Sequence, residues 1–393
     1  MIQFVQTYFR AILGILLLLL LSCSPGSGDS SSMLLLASGV QSSCPNARIV
    51  GGSISCPLEL TGEVSTFAGT GSSGSGEGTG TSASFYEPYS LTTDGANLYV
   101  ADQSNNKIRK IVIATGEVST FAGSGAYGSS DAVGTDASFN MPGGITTDGT
   151  YLYVSDTYNY KIRKIEIATR QVTTLAGTGM YGDVDAVGLT ASFNVPMGLA
   201  TDGTYLYIAD WGNNKIRRLV LSSSAVYTFA GAGYSGNTNA TGAAASFNGP
   251  TSVTTDGTNL YVTDSLNYTI RKIEISSRVV STFAGSGTLG YVDGIGVAAE
   301  FRIPYGITSD GTYLYVTDYN NHNIRRISIS DKQVITIAGP DSIDQGCYST
   351  SCPSGDTDAK GAFARFHIPM HVTSDGTSLF VADRLNHKIR RIR

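Results

Sequence analysis

Charge is scarce in this chain. Asp, Glu, Lys and Arg make up 15% of its 393 residues, and 31 acids face 26 bases, a net charge of −5. That balance implies no strongly basic partner, and the Lys and Arg residues recur at one repeat position instead of forming the patch that nucleic-acid binding needs. Histidine is scarcer still: His322, His367, His371 and His387 are the four, and their positions do not make a convergent three-His zinc cage. The N-terminal apolar run, Ala11 to Leu21, is eleven residues long, too short to span a bilayer and suited to a signal-peptide core. No helical hydrophobic period appears, which sets helical architectures aside.

What the chain does have is repetition. An Asp-Gly pair at Asp94-Gly95 recurs at Asp148, Asp202, Asp256 and Asp310 with a spacing of 54 residues, and again at Asp375, 65 residues on. Each unit opens on a Pro (Pro88, Pro142, Pro196, Pro250, Pro304, Pro369), followed by a short strand a and the Asp-Gly hairpin turn. Strand b reads Leu-Tyr-Val-x-Asp, as in Leu98 to Asp102, and an Asn follows three residues later (Asn105, Asn159, Asn213, Asn267, Asn321, Asn386). Strand c carries Arg109, Arg163, Arg217, Arg271, Arg325 or Arg390, and strand d reads Val-x-Thr-Phe-Ala-Gly or close to it. Four strand-like runs per unit in six units predict an all-β, six-bladed β-propeller of four-stranded antiparallel blades.

The sixth unit ends at strand c, while a spare strand d, Val64 to Gly69, precedes the first strand a. The N-terminal strand is therefore expected to complete the last blade and close the ring, leaving no open edge. Blades cannot bury their faces alone, so residues 59–393 read as one domain.

Ahead of it, residues 1–22 read as a lipoprotein signal peptide and 23–58 as a flexible, Ser/Gly-rich tether. Leu20-Leu21-Ser22-Cys23 resembles the bacterial lipobox, which implies lipidation of Cys23. Ser24 in place of an Asp implies transport to the outer membrane, facing either the periplasm or the medium. Ordinary signal cleavage is the alternative. The remaining cysteines, Cys44, Cys56, Cys347 and Cys352, allow three pairings, of which the two local ones are favoured in an oxidising compartment.

The run Tyr-Val-x-Asp-x-x-Asn-x-Lys-Ile-Arg resembles the NHL repeat, whose Asn-His signature stands at Asn321-His322 and Asn386-His387. The resemblance covers residues 60 to 393 and is specific for fold, not for function. Asp102, Arg109 and their equivalents are expected to pair across the b–c hairpin as structure, since one ligand does not need six copies of one contact. Gly-x-Gly-x-x-Gly recurs five times with no helix behind it, so it reads as a d–a loop and not a dinucleotide site. The loop residues Glu77, Asp131, Asp185, Asn239, Asp293 and Asp358 read as turn formers.

Function is sought where the repeat breaks. The residue after each loop Phe is Tyr86, Asn140, Asn194, Asn248, Arg302 or His367; the second after each Pro is Ser90, Gly144, Gly198, Ser252, Gly306 or His371. Small residues at the second position suggest an open channel mouth. Tyr86, Glu87, Trp211, Arg302, His367 and His371 are thus the candidate ligand-binding residues. The leading expectation is a lipid-anchored envelope module, monomeric and without a cofactor, binding or scaffolding a protein or glycan partner. The alternative, implied by relatives of the family, is a zinc- or calcium-dependent lyase or lactonase-like hydrolase.

Overall fold

The computed structural model describes residues 60–342 and 352–393, together with 48–50, 53–55, 58 and 347. Cys23, Cys44 and Cys56 lie outside the described residues. Within the stretch read as tether, Arg48–Val50 and Ser53–Ser55 are strands.

Six antiparallel sheets form the blades, five built on four consecutive strands and the sixth on three plus a strand from earlier in the chain. In blade two, for example, strands a to d are Pro142–Thr147, Tyr151–Asp156, Lys161–Glu166 and Val172–Ala176. Blades one and five gain a two-residue fifth strand, Gly78–Thr79 and Gly294–Ile295. Strand a of each blade packs on strand a of the next, and Pro369–Ser374 returns to Pro88–Thr93, so the inner strands form a closed ring. Blade six takes its outer strand from the other end of the chain: Val64–Ala68 pairs antiparallel with Lys388–Ile392.

The hydrophobic core lies between blades. Tyr99, Ile108 and Phe121 of blade one pack against Ile145, Leu152 and Ile165 of blade two. At the closure, Ala68, Phe380 and Ile389 pack against Leu91, Val100 and Ile111. Each blade therefore buries its faces only with its neighbours. The a–b hairpin is pinned by its Asp: Asp94 Oδ1 accepts the N–H groups of Ala96 and Asn97 at 2.9 and 2.7 Å, and Oδ2 accepts the Tyr99 hydroxyl at 3.0 Å. Gly95 sits at φ +91° with open space around it, so backbone conformation and not crowding calls for glycine.

The expected Asp–Arg pair is present in all six blades. Five pairs are ion-paired at 2.6 to 3.0 Å and the Arg325–Asp318 pair at 3.1 Å. Each Arg and Asp is fully buried, and each guanidinium lies over the loop Phe of its own unit, 5.0 to 5.4 Å from the ring centroid. Arg163 shows the full set: it donates to Asp156, to the carbonyls of Ser130 and Ser138, and to Asp131. Asp131 in turn accepts the N–H of Thr174 on strand d at 3.0 Å. The loop acids read as turn formers thus do more. Asp131, Asp185, Asp293 and Asp358 tie the d–a loop to the core Arg and to strand d, and Asn239 accepts from Arg271 in blade four. Burial pushes the Asp210 and Asp383 carboxyls up to about 6 against the pull of Arg217 and Arg390, so both pairs stay charged at pH 7.

The eleven-residue insertion in the last repeat carries the Cys347–Cys352 disulfide, the local pairing the spacing favoured.

Arg271 has a single acidic partner, Asp264. Arg271→Met strands a buried carboxylate and is expected to cost about 3–5 kcal/mol in urea unfolding. Adding Asp264→Asn should recover part of that loss; a cost below about 1 kcal/mol for the single variant would contradict this role for the pair.

Candidate functional site

Each b–c turn is built alike. Its strand b ends in the buried Asp, a single 3-10 turn follows in five blades, as in Gln103–Asn105, and a hydrogen-bonded turn in blade five, and the next residue is left-handed, as in Asn106 at φ +52°. Asn105 Nδ2 donates to Asp102 Oδ2 at 2.8 Å and to the Gly74 carbonyl at 2.6 Å, which brings the b–c turn and the d–a loop to one face. The left-handed residue clasps the next blade. Asn106 Oδ1 accepts the Met141 N–H and Asn214 Oδ1 the Gly249 N–H, both at 2.8 Å. His322 Nδ1 accepts from Ile368 and His387 Nδ1 from Glu87, both at 3.2 Å. The signature His is therefore an inter-blade clasp, and His387 closes the ring from blade six to blade one.

With the turn held on both sides, the residue directly after the Asp is free to vary. Gln103, Thr157, Trp211, Ser265, Tyr319 and Arg384 occupy that position in the six blades, and all six line one cavity of about 350 Å³ at the channel mouth. Its floor comes from the residue directly after five of the six Pro: Tyr89, Met197, Thr251, Tyr305 and Met370. The Tyr89 and Tyr305 hydroxyls hydrogen-bond to each other, and both lie against Met197 Sδ at 3.6 and 3.5 Å. Burial raises both phenols, Tyr305 to about 12, so neither ionises near neutral pH. The half-exposed Tyr158 and Leu266 extend the apolar wall.

The expected open channel is corrected here. The second residues after Pro, from Ser90 to His371, form a tight layer beneath the Tyr floor. A Cβ on Gly144 would lie 2.2 Å from the Met197 carbonyl, and one on Gly306 would lie 2.4 Å from that of Met370. The small residues there let neighbouring inner strands approach and do not widen the mouth.

Of the six candidates from the sequence, Trp211 alone lines the mouth cavity. His371 lies in the layer below, where burial pushes it down to about 4 and Nδ1 has no partner among the described residues. The other four gather at the seam of blades five, six and one. Tyr86 packs edge-on to His387 at 5.7 Å, and Glu87 pairs with Arg384 at 2.6 Å. His367 packs edge-on to His322 at 6.0 Å, and Arg302 acts on His322 electrostatically. Among the described residues no three His, Cys, Asp or Glu converge to hold a metal, and His322 and His387 already use Nδ1 in the clasp.

The mouth residues escaped the sequence reading, apart from Trp211. Their signal was available: in every unit the position after the strand-b Asp changes while the Asp itself and the Asn three residues on do not.

No family model matches the chain. It is 27% identical over 329 residues to NHL repeat-containing protein 2 of Homo sapiens; the match takes in 75% of this chain and 44% of that protein, so the chain spans less than half of this relative's length. Among solved structures, a structural genomics protein of unknown function from Bacteroides thetaiotaomicron superposes with a TM-score of 0.64 at 20% identity, covering 84% of this chain and 75% of the other. An auxiliary nutrient binding protein from Bacteroides ovatus superposes with a TM-score of 0.62 at 14% identity, covering 85% and 77%.

The His322 clasp has a pH signature. Burial, then the charges of His367 and Arg302, push its pKa down to about 4. A depressed His contributes nothing above the unfolded value near 6.5 and costs stability as pH falls from there towards 4. His322→Asn installs the clasp found at Asn106 and Asn214. Between pH 7 and 4.5 wild type is expected to lose about 2 kcal/mol more than this variant in paired urea titrations. Parallel curves would contradict the clasp.

Proposed function

Because this chain is homologous to the NHL repeat-containing proteins and folds as a six-bladed β-propeller of their type, we propose that it is a binding protein of the cell envelope, with its ligand site at the channel mouth. The observation that carries this reading is the mouth itself. Six residues of different chemistry, projected by six alike turns, line one cavity of about 350 Å³. That is within the usual size of small-molecule sites, and its mix of aromatic walls with a few polar groups is the usual composition. A structural framework alone would not need six different residues at one repeat position.

The exposed loop tips Tyr127, Tyr181 and Tyr234 stand on the same face and enlarge the surface a protein or glycan partner would meet. The naming of a structural neighbour as a nutrient-binding protein accords with ligand capture, although at 14% identity it speaks to the fold alone. The reading requires no metal or cofactor. The anchor is the lipidated Cys23, motivated by Leu20-Leu21-Ser22-Cys23 at the end of the apolar run, with the outer membrane as its address.

Trp211 is the only tryptophan in the chain, so its emission reports on the mouth directly. A screen of envelope metabolites, glycans and peptides should give a saturable change in Trp211 emission, and Tyr158→Ala should weaken the best binder by about fivefold through lost aromatic contact. No saturable binder by emission or by calorimetry would sink the mouth reading. For the anchor, Cys23→Ser should move the protein from the membrane to the soluble fraction; an unchanged distribution would contradict lipidation.

A further inference from the structure

The mouth cavity has one charged lining residue, and its chemistry narrows the ligand. Arg384 follows the strand-b Asp of blade six and lines the cavity at its seam with blade one. Its Nη2 donates to Glu87 Oε2 at 2.6 Å, while the buried Nε has no hydrogen-bond partner among the described residues. Glu87 is not part of the lining, and Ser104 Oγ donates to the same Oε2 at 3.2 Å. The carboxylate thus sits behind the guanidinium, and the guanidinium faces the cavity. Its field reaches the floor, where it favours the ionised forms of Tyr89 and Tyr305.

Across the ring, three blades away, the same position holds Trp211, and Tyr319 occupies it beside Arg384 in blade five. The remaining lining is neutral: hydroxyl, amide, methionine, aliphatic and aromatic groups. Two of the hydroxyls are already committed, since Thr157 donates to the Pro196 carbonyl and Ser265 to that of Pro304. Among the described residues Arg384 is therefore the one charged donor on this ring-lined space, with Nη2 taken by Glu87. A guanidinium with an open N–H edge matches a carboxylate, and aromatic faces match a flat or cyclic body.

Resting on the binding reading above, we propose that the mouth takes a small ring-bearing carboxylate, its acid group on Arg384 and its ring against the aromatic wall that includes Trp211. Glu87 holds Arg384 in place and competes with the incoming carboxylate.

The test is calorimetry on the purified, folded protein with matched probes: 2-naphthoate against 2-naphthamide, and digalacturonate against neutral lactose. These arms also separate an aryl acid from an acidic sugar as the source of the carboxylate. The acid of at least one pair is expected to bind at least about tenfold tighter than its neutral partner, as charge-assisted hydrogen bonds do. Arg384→Gln should cut acid affinity by about ten- to a hundredfold. Glu87→Gln should raise it, and this variant keeps the test decisive if Arg384→Gln unfolds. Neutral partners that bind as well as the acids, or an acid affinity unmoved by both substitutions, would overturn the proposal and leave mouth binding standing. An absence of any binder at Trp211, across these probes and the wider screen, would remove both.

Discussion

The buried Arg–Asp pair of each b–c turn is the interaction on which the rest of the structure depends. Six such pairs, with side chains at 0–1% exposure, lie inside a chain with little charge elsewhere. Buried charges of this kind persist when close partners offset the lost hydration; the terminal nitrogens are used in all six, while Nε of Arg109, Arg163, Arg271 and Arg325 has no hydrogen-bond partner among the described residues. Here the guanidinium gathers the turn Asp and the d–a loop carbonyls and covers the loop Phe, and in most blades it also takes a loop acid. One residue on strand c thus fixes the relative position of the b–c turn and the d–a loop. The outcome is a closely similar turn in six places, a 3-10 turn in five and a hydrogen-bonded turn in blade five, which presents six different side chains at equivalent positions.

Frame and site are therefore separated by a single residue. The Asp is buried and constant; its successor lines the mouth and varies through Gln, Thr, Trp, Ser, Tyr and Arg. Clasps between blades hold the turns in place, using Asn in blades one and three and His in blades five and six. The His of the signature pair is drawn into this structural role, so histidine content is a poor guide to chemistry in this chain. The seam of blades five, six and one differs from the rest: there the clasp His, Glu87 and Arg384 meet at the point where the ring closes on itself.

Much of the fold was legible in the sequence because the loops keep a fixed length. A constant period gave the blade count, and the missing last strand matched the spare strand Val64–Ala68. The Asp–Arg pairing was legible too, since in the b–c hairpin Asp102 stands opposite Lys107 and Arg109 opposite Val100, which makes Asp102 and Arg109 diagonal neighbours on one face. The loop acids were not: Asp131 lies 32 residues before Arg163, and nothing local marks that contact. The channel was misjudged for a physical reason. Small residues such as Gly144 and Gly306 looked like open space, yet backbone from the adjacent blade occupies it. The site was partly legible. Trp211 stood out as the lone tryptophan, whereas Arg384 looked like one more basic residue until the structure placed it on the cavity wall beside Glu87.

The central claim is that the mouth residues form the ligand site and the repeated turn beneath them only positions it. A crystal structure of the protein with the tightest compound from the Trp211 screen tests this most directly. The account predicts ligand density in the mouth, between Trp211 and Arg384, with the b–c turns unmoved. Density elsewhere, with the mouth empty, would contradict it.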